Sequence, residues 1–309
     1  MEAIVFEEFG GPEVLRFKDD VAEPHAGPGQ VRVKVAAVGV NPIEYKIRNG
    51  WMEQVFPTAL PAVPGNEFAG TIDEVGEGVT GLPVGDEVLG WTETGAYAAY
   101  ALAQASAVAP RPTGLEPAEA ATLPIAGETA QRVLDLLGVR SGETLLIHGA
   151  AGAVGSMGVQ LAVALGATVI GTASPANHEY LRSIGAVPVA YGDGLVERVR
   201  AVAPQGVVDA VFDAAGKGAL AASVELRGGT PDRVVTIADP DAARYNVTFA
   251  SGGSDRAKAR EGLTHQAALA ANGKLHISIA HTFPLRDAAK AQTLSESGHV
   301  RGKLVLLVG

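Results

Sequence analysis

The chain of 309 residues is longer than a single core usually organises, so two domains are expected. Its formal charge of -10, with Lys and Arg scattered along the sequence, argues against a nucleic-acid surface. The absence of cysteine removes disulfides, thiolate nucleophiles and cysteine-ligated zinc together.

With 47% hydrophobic and 19% charged residues the composition is that of a globular protein. The seven histidines show no tight ligand spacing, so no metal is expected. Met1 to Val5 carries no basic leader, and no apolar run has the length of a membrane span, which makes the cytoplasm the expected location.

From Met1 to about Ala109 the chain shows short alternating runs, among them 30–36, 70–75 and 86–90. In the first, Val31, Val33 and Val35 share one face and Arg32 and Lys34 the other, the pattern of a half-buried strand. Pro57, Pro61 and Pro64 mark an irregular connection.

Near Glu116 the period changes to helical, through 116–121 and 129–137. Strands at 145–148, 167–172, 187–190, 206–213 and 233–237 then alternate with helices at 177–184, 194–202 and 220–226, the order of a parallel sheet with crossover helices. A helix over 255–271, a strand over 274–279, a helix over 287–296 and a strand over 303–308 close the chain.

Strand 145–148 empties into Gly149, Gly152 and Gly155, with Ala151 where the second glycine of G-x-G-x-x-G stands. Small residues there let a backbone approach a pyrophosphate held on free amides at a helix N-terminus. A strand-to-helix turn needing glycine for packing alone is the other reading of this stretch.

Phe9-Gly10-Gly11-Pro12, Gly39-Val40-Asn41-Pro42, Val63-Pro64-Gly65-Asn66-Glu67, Gly85-Asp86-Glu87-Val88, Gly95-Ala96-Tyr97, Leu123-Pro124, Thr129-Ala130 and Gly302-Lys303 follow one another in this order. Together they resemble the zinc-independent quinone oxidoreductase branch of the medium-chain dehydrogenase/reductase superfamily. The resemblance implies an α/β fold, a GroES-like partly barrelled β domain over 1–115 and 280–309 and a doubly wound Rossmann domain over 116–279. It also implies a homodimer, joined near Tyr245 to Phe249. The zinc branch has a cysteine near Val40 and a histidine near Asn66, and this chain has neither.

The implied activity is hydride transfer from NADPH to a quinone, enone or enal without a metal, a non-catalytic NADPH-binding protein being the alternative. NADPH is favoured over NADH because the segment after the second Rossmann strand, Thr172 to His178, holds no carboxylate to repel a 2'-phosphate. Ala176 departs from the arginine of many relatives.

Asn41 and Tyr45 are the expected catalytic groups, with an Asn-Pro turn and a packing tyrosine as the alternatives. Trp51 and Trp91, both read as loop residues, are the expected substrate wall unless they are core. The expected cofactor contacts are Thr129, Gly149, Gly152, Ala153, Val154, Ser174, His178, Tyr191, Ala215, Ile237 and Lys303. Among these, Ser174 reads equally as a helix cap and Lys303 as an exposed strand lysine, and His148 is read as a structural strand end.

Overall fold

The structure is a computed structural model that describes residues 1–252 and 255–309. It divides into two compact units, Met1–Ile125 with Asp255–Gly309, and Ala126–Ser254. The expected boundaries at 116 and 279 therefore move to 126 and 254. Residues 116–125 stay with the first unit because the Glu67 carboxylate accepts the Ile125 N–H at 2.7 Å. Residues 255–279 join it because Arg260 donates to the Val108 carbonyl at 2.7 Å.

In chain order the first elements are β1 (Ala3–Val5), β2 (Arg16–Lys18), β3 (Gln30–Val40), α1 (Pro42–Arg48), β4 (Glu67–Val75), β5 (Glu87–Trp91), β6 (Tyr100–Gln104), β7 (Val108–Pro110), α2 (Pro117–Ala120) and α3 (Leu123–Leu137). Then come β8 (Thr144–His148), α4 (Ala153–Ala164), β9 (Thr168–Ala173), α5 (His178–Ser183), β10 (Ala186–Ala190), α6 (Leu195–Val202), β11 (Ala210–Asp213), α7 (Leu220–Leu226), β12 (Val234–Thr236) and β13 (Thr248–Phe249). The chain ends through α8 (Arg256–Ala271), β14 (Ile279–Pro284), α9 (Ala288–Glu296) and β15 (Lys303–Leu307).

The first unit is built around β3. Its outer half pairs β6, its inner half pairs β15, and its other edge pairs β4, all antiparallel. The sheet continues as β14-β15-β3-β4-β5-β7, the partly closed GroES-like arrangement. Val31, Val33 and Val35 are buried in its core beside Phe68 and Ile72, while Arg32 turns outward and holds Asp73 with Nε at 3.1 Å and Nη2 at 2.8 Å. A bidentate fork of this kind is the strong form of such a pair.

The second unit carries a parallel sheet in the order β10-β9-β8-β11-β12-β13, the doubly wound Rossmann topology. Leu146, Ile170, Val211 and Val234 form its buried centre. Both faces of such a sheet are covered, so its strands read as continuous apolar runs without alternation.

Several sequence expectations shift. The strand expected over 206–213 begins only at Ala210, after a 3₁₀ turn at Pro204–Gly206. Residues 274–278 form no strand, and pairing to β15 starts at Ile279. Tyr245 closes the 3₁₀ segment Pro240–Tyr245, so the edge strand expected from it is reduced to Thr248–Phe249. Among the described residues no helix is long and apolar enough to cross a membrane.

Candidate functional site

In the second unit, β8 ends at His148 and the chain turns at Gly149, whose φ of +70° is left-handed and suits glycine. The Gly152 N–H bonds back to the Gly149 carbonyl at 3.0 Å, and α4 begins at Ala153. Gly152, at the N-cap, has no side chain to take up the first amides of α4, and Ala153 and Val154 follow directly. Uncapped amides at a helix N-terminus are the kind of group that can hold an anion. A Cβ at Gly155 would stand 2.2 Å from the Gly149 carbonyl oxygen, so the third glycine is required by packing of α4 on the turn.

Ala215 lies beside the turn: a Cβ built on Gly149 would be 3.2 Å from the Ala215 Cβ. Its own N–H is taken by Asp213 Oδ1 at 3.0 Å, so that amide is not free for a ligand. Ile237 follows β12, and its N–H is held by the Asp213 carbonyl. Thr129, in α3, directs its hydroxyl to Glu128 Oε2 at 3.4 Å and not to the helix backbone.

At the end of β9, Ser174 accepts a hydrogen bond from Asn177 Nδ2 at 3.2 Å and makes no side-chain cap to the turn that follows. His178 opens α5, and its Nε2 is buried with no hydrogen-bond partner among the described residues. Tyr191, just after β10, is 61% exposed. The structure thus sets Ser174 and His178 in one short segment, with Tyr191 at the end of the neighbouring strand.

The first unit holds a buried polar cluster that motif reading only partly anticipated. Asn41 follows β3 and caps α1, and both hydrogens of its side-chain amide are taken. Its Nδ2 donates to Glu67 Oε1 at 2.7 Å and to Glu44 Oε1 and the Gly39 carbonyl at 3.3 Å, while its Oδ1 accepts from Lys303 Nζ at 2.6 Å. Asn41 therefore has no amide hydrogen left for a substrate oxygen, and its place is within the scaffold.

Lys303 is 2% exposed and bonds Glu67 Oε1 at 2.5 Å, so it is not the exposed strand lysine of the alternative reading. Glu67 spends Oε1 on Lys303 and Asn41 and Oε2 on the Ile125 N–H, and lies so close over Gly39 that a Cβ there would meet Glu67 Oε1 at 2.3 Å.

Glu44 completes the cluster. It accepts the Asn41 N–H at 3.1 Å, Asn66 Nδ2 at 3.3 Å and the Tyr97 hydroxyl at 2.5 Å. Burial pushes its carboxyl above the ordinary range, with Glu67's charge acting the same way against the hydrogen bonds from Tyr97 and Asn41. Burial and Glu44's charge hold the Tyr97 phenol far above its ordinary value, so it stays a donor. The spacing of Asn41 and Glu44, three residues apart at a helix start, was the available signal for this pair. Glu67 and Tyr97 lay inside quoted motifs but carried no sign of burial.

Tyr45, one turn along α1, is half-buried and meets Trp51 edge-on with ring centroids 6.2 Å apart. Burial and the nearby Glu296 charge raise its phenol pKa, so its proton is retained. Trp51 is 69% exposed. Trp91, in contrast, is not a loop residue: it ends β5, is 4% exposed, and carries the Arg256 guanidinium 5.6 Å above its ring. It is core, whereas Trp51 remains available to a ligand.

Comparison with known proteins agrees with both units. The chain matches the alcohol dehydrogenase GroES-like domain over residues 27–113 and the zinc-binding dehydrogenase domain over residues 184–306. It is 32% identical to the quinone oxidoreductase of Sus scrofa over 327 aligned positions, covering 100% of this chain and 98% of the relative. The chain belongs to the quinone oxidoreductase branch of the medium-chain dehydrogenase/reductase superfamily.

Similarity extends to the 2-methylene-furan-3-one reductase of Solanum lycopersicum, at 35% identity over 80% of this chain and 66% of the relative. For rodent quinone oxidoreductases the matched stretch spans only about half of their length. The Escherichia coli quinone oxidoreductase solved in complex with NADPH superposes with a TM-score of 0.85 at 26% identity, covering 99% of this chain and 100% of that one.

Zinc does not fit this member of the superfamily. The segments that hold ligands in the zinc branch present two amides, Asn41 and Asn66, and the Lys303 ammonium already sits on Glu67 where a cation would be neutralised. A nicotinamide dinucleotide is compatible with the second unit, where Gly152 puts no side chain over the first turn of α4 and the amides there have no side-chain cap.

Proposed function

We propose that this protein is an NADPH-dependent oxidoreductase that reduces quinones or activated alkenes. The observation that carries the reading is the glycine turn at 149–155, whose α4 amides have no side-chain cap, together with a β9 end that holds no carboxylate. The pyrophosphate falls to the amides of Gly152, Ala153 and Val154. The 2'-phosphate falls to Ser174 and the segment to His178, where an acid would repel it.

When bound, the cofactor supplies a hydride to an electrophilic carbon of the acceptor. The protein's share is orientation and charge control. Tyr45, whose raised pKa keeps its hydroxyl protonated, is the donor proposed for the acceptor oxygen as it gains negative charge. Trp51 offers the flat apolar surface for a quinone or enone. The reductase and quinone oxidoreductase names of the relatives support the acceptor class, and the NADPH complex of the bacterial neighbour supports the cofactor.

A homodimer is part of the same proposal. β13 is an edge strand with exposed Thr248 and Phe249, and sheet extension across a two-fold axis is the natural use of such an edge. Light scattering of the purified chain reads this directly.

The function is tested by following the absorbance of the reduced cofactor against a panel of quinones, enones and simple alkenes. Turnover of the first two classes and not the third is expected. Tight NADPH binding with no turnover of any acceptor would leave a nucleotide-binding protein and end the enzymatic reading.

A further inference from the structure

Four strands of the Rossmann sheet carry a polar residue at or next to their C-terminal end, and the register aligns all four in one row. Thr172 of β9 pairs His148 of β8, His148 pairs Asp213 of β11, and Asp213 pairs Thr236 of β12. Paired residues of parallel strands point to the same face. All four are at most 2% exposed. Such a row is costly inside an apolar sheet unless every member is hydrogen-bonded.

Each member is bonded, and for Thr172, Asp213 and Thr236 the partners include the turns that leave the strands. Thr172 Oγ1 accepts the Gly149 N–H at 3.4 Å. Asp213 Oδ1 accepts the N–H groups of Ala215 and Gly216 at 3.0 and 3.1 Å, and its Oδ2 accepts the Thr236 hydroxyl at 2.8 Å. Thr236 Oγ1 accepts from Ala238 and Asp239 at 3.1 and 3.0 Å.

The hydrogen bonds around His148 run in one direction. Ser223 of α7 places its single hydroxyl hydrogen on the Ala219 carbonyl at 2.8 Å. At 3.0 Å from that hydroxyl, His148 Nε2 must therefore donate. A neutral imidazole that donates from Nε2 accepts at Nδ1, and the group 3.2 Å away is the Thr172 hydroxyl. With its hydrogen on His148, Thr172 presents only a lone pair to Gly149. The tautomer is assigned by this network.

We propose that His148 is the positioning residue of the nucleotide-binding turn: through Thr172 it fixes the left-handed Gly149 peptide from which the pyrophosphate amides are set out. His148 touches no ligand and acts only through Thr172. This rests on the nucleotide-binding reading above and assigns a role to residues outside the glycine pattern.

The test measures NADP⁺ and NADPH dissociation constants by calorimetry on the full chain, beside thermal stability and amide exchange at Gly149 without nucleotide. Wild-type binding is measured first, since its absence overturns the function and not this inference. T172V keeps the side-chain volume and loses the hydroxyl; H148F loses both ring nitrogens. Each is expected to weaken binding about fivefold or more, the value of one hydrogen bond, and to speed exchange at Gly149.

H148Q retains a donor and an acceptor on one side chain, and binding within about twofold of wild type is expected from it. Unchanged dissociation constants and unchanged Gly149 exchange in T172V, whatever happens to its melting temperature, overturn the proposal. So does an H148Q protein that binds no better than H148F. If H148F does not fold, T172V and H148Q still decide.

Discussion

Lys303 Nζ lies 2.5 Å from Glu67 Oε1, although 235 residues separate the two in the chain and both side chains are buried. The pair fastens the start of β15 to the start of β4, and Asn41, bonded to both, adds the end of β3. Through the Asn41 N–H on Glu44 the same charges hold the first turn of α1, which carries Tyr45. A buried pair is sensitive to loss of one partner because the other is left as an uncompensated charge.

Lys303→Met is therefore expected to lower stability by about 3–5 kcal/mol. Combining it with Glu67→Gln should recover much of that loss, because the orphaned carboxylate goes with the lysine. Urea denaturation of the two single variants and the double variant measures the coupling.

Gly155→Ala brings a methyl group 2.2 Å from the Gly149 carbonyl oxygen. The turn must open, at a cost of about 1–3 kcal/mol from overpacking. NADPH affinity should fall more steeply than stability, since the displaced amides are those assigned to the pyrophosphate. Calorimetric titration and a melting curve on the same sample separate the two effects.

Ala176 is exposed beside Ser174, and no guanidinium occupies the segment. Ala176→Arg should raise the preference for NADPH over NADH by about tenfold, through a charge-assisted contact to the 2'-phosphate. Ser174→Asp should reverse the preference, by repulsion. The ratio of kcat/KM for the two cofactors reads both.

Tyr45→Phe removes one hydroxyl and leaves the ring stacked edge-on to Trp51. A loss on the order of a hundredfold in kcat/KM for the acceptor is expected, with the NADPH dissociation constant unchanged. A fall below tenfold would assign Tyr45 to packing.

Burial holds the His148 imidazole below its ordinary pKa, against the opposing charge of Asp213. As pH falls, the unfolded chain takes up this proton near pH ~6.5, before the folded one does. The stability contributed by neutral His148 is thus complete above about pH 6.5 and is lost on acidification through that value toward the depressed folded pKa. H148Q cannot titrate there, so wild type should lose melting temperature relative to H148Q as the pH drops. A constant difference between the two proteins across that range would refute the assignment.

Much of this architecture was legible in the sequence. Alternation of Val31, Val33 and Val35 with Arg32 and Lys34 set the half-buried strand at the centre of the first unit, because a pleated chain has no other way to separate those side chains. Gly149, Gly152 and Gly155 specified the strand-to-helix turn, since a left-handed peptide and a close helix contact each exclude a side chain. These are local constraints, satisfied by residues within a few positions of one another.

Tertiary structure alone decided what the polar residues do. Lys303 on an alternating strand reads as exposed, and only the pairing of β15 with β3 brings it to Asn41 and Glu67. Asn41 reads as a free amide until the carboxylates that take its hydrogens arrive from α1 and β4. The row of Thr172, His148, Asp213 and Thr236 exists only once four strands are in register. Burial and hydrogen-bond saturation depend on neighbours distant in the chain, and a one-dimensional pattern does not contain them.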